Sequence, residues 1–151
     1  MGTKLAKSEM TYYATVCASF NFRKAARAVT QLFDTALQPV GIRSTQLVVL
    51  LAAGIYEKPT MSEMADIMVT DRTTLTRALK PLFRKGLLVN VPGQDKRKSC
   101  VSLTDRGHQT IRKSVPYWHK AQNHFEKGFG KAEWGKFLVK LTKAIQVVKK
   151  P

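Results

Sequence analysis

The stretch TDRTTLTRALKPLFRKGLLVNVPGQDKRKSCVSL, Thr70 to Leu103, reads as one helix followed by a two-stranded ribbon. Asp71, or Thr70 just before it, is the N-cap candidate, because a short oxygen-bearing side chain can accept from the first unpaired amides of a helix. The helix therefore starts near Arg72. Leu75, Ala78, Leu79, Leu82 and Phe83 recur at the three- and four-residue spacing of one helical face, which predicts that this face is buried. Arg72, Thr73, Thr76, Arg77, Lys80 and Arg84 are left outside, and Gly86 stands where helices commonly end in a left-handed residue. Leu87 to Val91 and Cys100 to Leu103 then read as strands. The Pro-Gly break and the charges from Pro92 to Lys98 make the tip of a hairpin between them.

A cationic, hydroxyl-rich helix beside a cationic hairpin is the shape of a winged helix-turn-helix. Such a helix fits the major groove, and a hairpin tip reaches a neighbouring minor groove, where negative potential concentrates. A charged helix face is often only a solvated face, but solvated faces mix their signs. Between Thr70 and Lys113 there are eleven basic residues against three acidic ones. Arg72 and Arg77 are the first candidates for base contact, since a guanidinium can fork onto guanine O6 and N7. Thr73, Thr74 and Thr76 are candidates for phosphate or thymine-methyl contact, with Lys80 and Arg84 on the same face. At the tip, Arg97 is the minor-groove candidate and Lys96 and Lys98 meet flanking phosphates. Asp95, an acceptor only, holds Arg97 or a recognition-helix arginine by an ion pair. Ser44 and Ser62, at helix starts, either present backbone amides to phosphate or simply cap. Pro81 lies inside the helix and removes the amide that would bond to the Arg77 carbonyl, so a kink is expected there.

The motifs STQLVVLL (Ser44 to Leu51), SEMADIM (Ser62 to Met68), DRTTLTRAL (Asp71 to Leu79), KGLLV (Lys85 to Val89), DKRK (Asp95 to Lys98) and VSLTDRGHQ (Val101 to Gln109) occur in the order found in MarR-family transcriptional regulators, which the chain resembles from about Cys17 to Val148. The resemblance implies a homodimer built from the first helix and the last two. It also implies a small aromatic or phenolic effector bound between that region and the DNA-binding lobes. Phe20, Phe22, Phe33, Leu37, Trp118 and Phe125 are the residues that would line its pocket, with core packing as the other reading of each. Some members sense organic hydroperoxides or hypochlorite through a cysteine near Cys17. Cys17 is offset from that position, and Phe33 stands where those proteins carry tyrosine, so a buried, inert cysteine is the competing reading.

Outward from the central stretch, a long helical pattern runs from about Tyr12 to Leu37 and is stopped by Pro39 and Gly41, after a loosely ordered Met1 to Met10. Ser44 is the N-cap candidate for a helix to about Tyr56, with Leu47, Val48, Leu50 and Leu51 in the core. Thr60 or Ser62 opens a short helix through Met68, and Val69 to Asp71 is the turn to the recognition helix. After the hairpin, Thr104 caps a long helix to about Glu126, with Pro116 raising the question of a bend. A Gly-rich break over Lys127 to Lys131 precedes a last helix from Ala132 to Lys149, whose Lys136, Lys140, Lys143 and Lys149 form a solvated or phosphate-touching side.

The net charge of +16 implies an anionic partner, of which nucleic acid is the commonest and a membrane surface the competitor. No apolar run approaches the ~20 residues of a spanning helix, no signal-like core opens the chain, and two cysteines make no disulfide framework. A cytoplasmic protein with no membrane partner is the expectation. His108, His119 and His124 are not spaced as a metal site, and no phosphate loop, nucleophile elbow or carboxylate pair points to an enzyme or a cofactor.

The chain is therefore expected to be mainly α with a small β-hairpin wing, a single domain over 1–151. Residues 44–103 form its winged helix-turn-helix DNA-binding lobe, and 12–37 with 104–149 its helical dimerisation region. The function expected is that of a sequence-specific regulator, a repressor, binding double-stranded DNA as a homodimer and released by a small-molecule effector. The alternatives are a non-specific basic architectural protein and a thiol redox sensor using Cys17.

Overall fold

The computed structural model describes residues 4–93 and 99–149. Helices α1 (Lys7–Val16) and α2 (Ala18–Leu37) lead through a 3-10 turn at Gln38–Val40 into α3 (Ser44–Ile55), α4 (Met61–Ile67) and α5 (Arg72–Arg84). The antiparallel strands β1 (Leu88–Pro92) and β2 (Ser99–Leu103) follow, paired from Leu88 opposite Leu103 to Pro92 opposite Ser99. Helix α6 (Asp105–Phe129) then returns along α2, and α7 (Lys131–Lys149) closes the chain. The fold is a winged helix-turn-helix between two helical ends.

The core lies in the central lobe. Leu50 from α3, Met64 from α4, Leu75, Leu79 and Leu82 from α5 and Val101 from β2 are fully buried together, and Leu37 joins them from the end of α2. Thr60, at the start of α4, accepts from the Glu63 amide, while the Glu63 carboxylate accepts from the Thr60 amide at 2.7 Å, so both ends of that capping box are made. At the other end of α5 the chain turns through Gly86 at φ +64°. The Leu87 amide donates to the Leu82 carbonyl at 3.0 Å and the Gly86 amide to Phe83 at 2.9 Å, a Schellman motif that satisfies the last carbonyls and turns the chain into the wing.

Several expectations are corrected. The first helical pattern is two helices, with an earlier start: α1 begins at Lys7, where Glu9 accepts from the Ala6 amide, and the chain breaks at Cys17, whose ψ of 113° is extended. The side-chain amide of Asn21 donates to the Thr15 carbonyl at 2.9 Å, a group that a continuous helix would have paired through its backbone, and also to the Cys17 carbonyl at 2.9 Å, which the Asn21 backbone amide reaches as well. On α3 the buried set includes Val49 rather than Val48, which is half exposed. Ala78 on α5 is exposed, because it faces the α2–α3 connection across an open cleft rather than the core. The kink expected at Pro81 does not break the helix, which is continuous from Arg72 to Arg84. The expected Gly-rich break after α6 narrows to Gly130.

Candidate nucleic-acid interface

The start of the recognition helix is fixed by its own side chains. Asp71 accepts from the Thr74 amide at 2.8 Å and from the Thr74 hydroxyl at 2.6 Å. The hydroxyl bond first, then the amide, holds the Asp71 carboxyl below its ordinary pKa. Two of the threonine candidates thus have local donors in use: the Thr74 hydroxyl is given to Asp71, and the Thr76 hydroxyl to the Arg72 carbonyl at 2.7 Å. With Leu75, Leu79 and Leu82 fixed inward, Arg72, Thr73, Arg77, Lys80 and Arg84 stand exposed on the outer side of α5. None of these four cations is in an ion pair among the described residues, so the row presents uncompensated charge at the width of a groove-filling helix.

The wing is anchored at its root. The Val101 amide donates to the Pro59 carbonyl at 2.9 Å, and Thr60 bridges to Cys100, so β2 is tied to the α3–α4 connection as well as to β1. The tip candidates Asp95, Lys96, Arg97 and Lys98 lie outside the described residues. Ser62 is exposed in the first turn of α4. Ser44 is not the cap of α3, which is Arg43. Its amide and its hydroxyl both donate to the Asp34 carboxylate, at 2.6 and 2.7 Å, which leaves neither donor for a phosphate.

Asp34 was not among the candidates taken from the sequence. It stands in the last turn of α2, where a carboxylate faces the negative end of the helix dipole, and the bond to Ser44 places it instead at the positive start of α3. An acidic residue in the disfavoured turn was the signal available. Lys85 was also passed over; its ammonium donates to the Gly41 carbonyl at 2.8 Å and ties the end of α5 to the α2–α3 connection.

Only three of the six pocket candidates come together. Phe33, Leu37 and Trp118 line an apolar cleft of about 290 Å³ with Val48 and Leu51, at the junction of α2, α3 and α6. A second cleft of about 270 Å³, against Ile111, Val115 and His119, adjoins it on Trp118 and Leu51. Phe20 and Phe22 are exposed on the outer part of α2, away from both clefts. Phe125 is absorbed in a ring cluster at the α6–α7 junction, stacked on Phe129 at 5.3 Å and edge-on to Trp134 at 5.0 Å. Cys17 is exposed rather than buried, because it sits at the α1–α2 break, while Cys100 is buried in the wing. No group of three or more potential ligands is arranged for a metal among the described residues, and no single helix is long and apolar enough to cross a membrane.

No family model matches the chain. The solved structure of the M. tuberculosis transcriptional regulator MosR superposes on it with a TM-score of 0.78 and 31% sequence identity, covering 90% of this chain and 98% of that one. The chain belongs to the MarR family of transcriptional regulators. That is a family of regulators and not of enzymes. MosR has also been solved in complex with DNA, and that form shares 32% identity with this chain. E. coli MarR complexed with operator DNA has the same fold at a TM-score of 0.78 and 21% identity. Among curated proteins, the HTH-type transcriptional regulator SarZ of Staphylococcus epidermidis is 29% identical over 89 residues, which are 58% of this chain. The match spans 60% of the length of that relative.

Proposed function

We propose that this MarR-family chain binds double-stranded DNA sequence-specifically as a two-fold dimer in the cytoplasm and represses by occupying a promoter. The observation that carries the reading is the exposed row Arg72, Thr73, Arg77, Lys80 and Arg84, whose cations form no ion pair among the described residues, on a helix whose start and end are both fixed by caps. In this reading Arg72 and Arg77 meet base edges, Lys80 and Arg84 meet phosphates, Ser62 supports the first helix of the pair, and Arg97 at the wing tip enters the minor groove beside Lys96 and Lys98, with Asp95 orienting it. DNA complexes of MosR, of E. coli MarR and of the repressor CouR support the class of partner.

The dimer is supported by what the single chain leaves uncovered. Phe20, Phe22 and Val29 on α2, and Phe137, Leu138 and Ile145 on α7, are more than a third exposed, and so many large apolar side chains left uncovered on the two terminal helices are what a partner subunit would bury. Two-fold pairing would set the two recognition helices about 34–36 Å apart, one turn of duplex. The cleft at Phe33, Leu37 and Trp118 is the place for a small aromatic effector, because it lies where the DNA lobe meets the α2–α6 pair. Among relatives, BpsR of Bordetella bronchiseptica has its DNA binding regulated by 6-hydroxynicotinic acid. The deciding experiment is selection of sites from a random duplex pool at near-physiological salt, alongside the double variant Arg77→Ala with Arg97→Ala. A two-fold symmetric motif that the variant no longer enriches is the expected result. Enrichment of no motif, or the same motif from the variant, would overturn the reading.

A further inference from the structure

Most of the positive charge lies away from the recognition helix. Residues 44–103 carry nine basic and five acidic side chains, whereas residues 104–151 carry eleven basic and three acidic. On α6 the cations fall into register: Arg106, Lys113, Lys120 and Lys127 recur every seventh residue, and all are exposed. The helix has no freedom to turn them inward, because Gly107, Ser114 and Ala121, each one residue further on, are buried. At a rise of 1.5 Å per residue the row spans roughly 30 Å with a cation about every 10 Å, starting at the root of the wing. Lys136, Lys140 and Lys143 add an exposed basic side on α7.

A solvated helix face normally alternates its signs. Here the ion pair on these two helices among the described residues is Glu133 with Lys136, and Glu126 is engaged by the Gln122 amide. A second copy of the chain packed row against row would set like charges opposite one another across the contact. Duplex DNA instead offers one negative charge about every 1.7 Å and needs no sequence to be held by its backbone. We propose that the α6 row, continued by the α7 lysines, is a second, sequence-independent surface for duplex DNA lying outside the operator. The proposal rests on the assignment of α5 and the wing to the operator.

The test uses the full chain, a short duplex carrying the selected motif, and a long labelled duplex of mixed sequence. Wild type loaded with the short duplex captures the mixed-sequence duplex; the triple variant Lys113→Gln, Lys120→Gln, Lys127→Gln keeps motif binding but loses that capture. Its affinity for mixed-sequence DNA falls at least about tenfold at low salt, and the slope of log K against log[salt] flattens by about 0.9 for each lysine that meets a phosphate. The variant Arg77→Ala with Arg97→Ala does the reverse, losing motif preference and keeping mixed-sequence binding. Unchanged mixed-sequence affinity in the triple variant, or no capture by the loaded wild type, overturns the proposal. Absence of any motif overturns the operator assignment instead, and the triple variant on mixed-sequence DNA still decides whether the row binds.

Discussion

Replacing Gly107 by alanine tests whether the junction of recognition helix, wing and α6 is as tight as its geometry requires. Gly107 is the third residue of α6, and a Cβ there would run into the Leu87 carbonyl oxygen and come within 2.9 Å of the Leu103 side chain. Leu103 can rotate, but the Leu87 peptide cannot move freely. Its carbonyl accepts from Thr104 at 3.2 Å, and its amide is held by Leu82 in the turn that ends α5. Overpacking against fixed groups costs about 1–3 kcal/mol, and the upper end applies where the obstacle is backbone. Alanine recovers at most about 1 kcal/mol over glycine through helix propensity. A net loss of about 2 kcal/mol remains, which in a chain of this size lowers the melting temperature by about 4–8 °C. Gly128→Ala in the same helix is the control, because nothing lies within 4 Å of its Cβ position, and it should gain stability from propensity alone. Thermal unfolding at fixed protein concentration compares the two, and binding of the selected motif should weaken in Gly107→Ala as the wing root shifts. Equal melting temperatures for the two variants would refute the packing argument.

Ser44→Ala removes a hydroxyl bonded to the Asp34 carboxylate at 2.7 Å, a charge-assisted bond whose loss should cost about 1.5–3 kcal/mol, read as a lower midpoint in urea unfolding with unchanged slope. The Asp71 carboxyl is held below its ordinary value of 3.8, so its contribution to stability is complete above that value and disappears as pH falls through the lower folded-state pKa. Acid unfolding of Asp71→Ala should therefore lack that component, and identical acid profiles for variant and wild type would contradict the cap. Leu138→Asp, on the exposed apolar side of α7, should shift light-scattering mass from dimer to monomer while leaving the far-ultraviolet helix signal in place. Trp118→Ala opens the two adjoining clefts into one, and an aromatic effector seated against that ring should bind at least about tenfold more weakly, read by titration calorimetry; unchanged affinity would remove the cleft as its site.

The central lobe was legible because its signals are local and agree with one another. Asp71 before an amphipathic run, Gly86 after it, and two short strands around a Pro-Gly tip each name an element by chemistry that acts within a few residues. The misses share a different cause, which is that the deciding partner lies far away in the sequence or on another element. Asn21 ends α1 by reaching back to Thr15 and Cys17, and nothing in the apolar spacing of Tyr12 to Leu37 announces that. Phe20, Phe22 and Phe125 carry the right side chains for a pocket, yet helix phase sends the first two outward and the ring cluster at Phe129 and Trp134 takes the third. Ser44 looks like a cap by residue type, and only the approach of α2 shows that its two donors face Asp34. That pair borders two clefts: Ser44 lines the apolar one beside Trp118, and Asp34 lines the one formed with Ala78 and Pro81 of α5 and with Lys85 just after it. A carboxylate in the last turn of a helix is disfavoured by the dipole, so its presence there argues for a tertiary partner that more than offsets the cost. The same inference applies wherever a residue type sits against its local preference: the misfit is the sequence-level trace of a contact that the sequence alone cannot name.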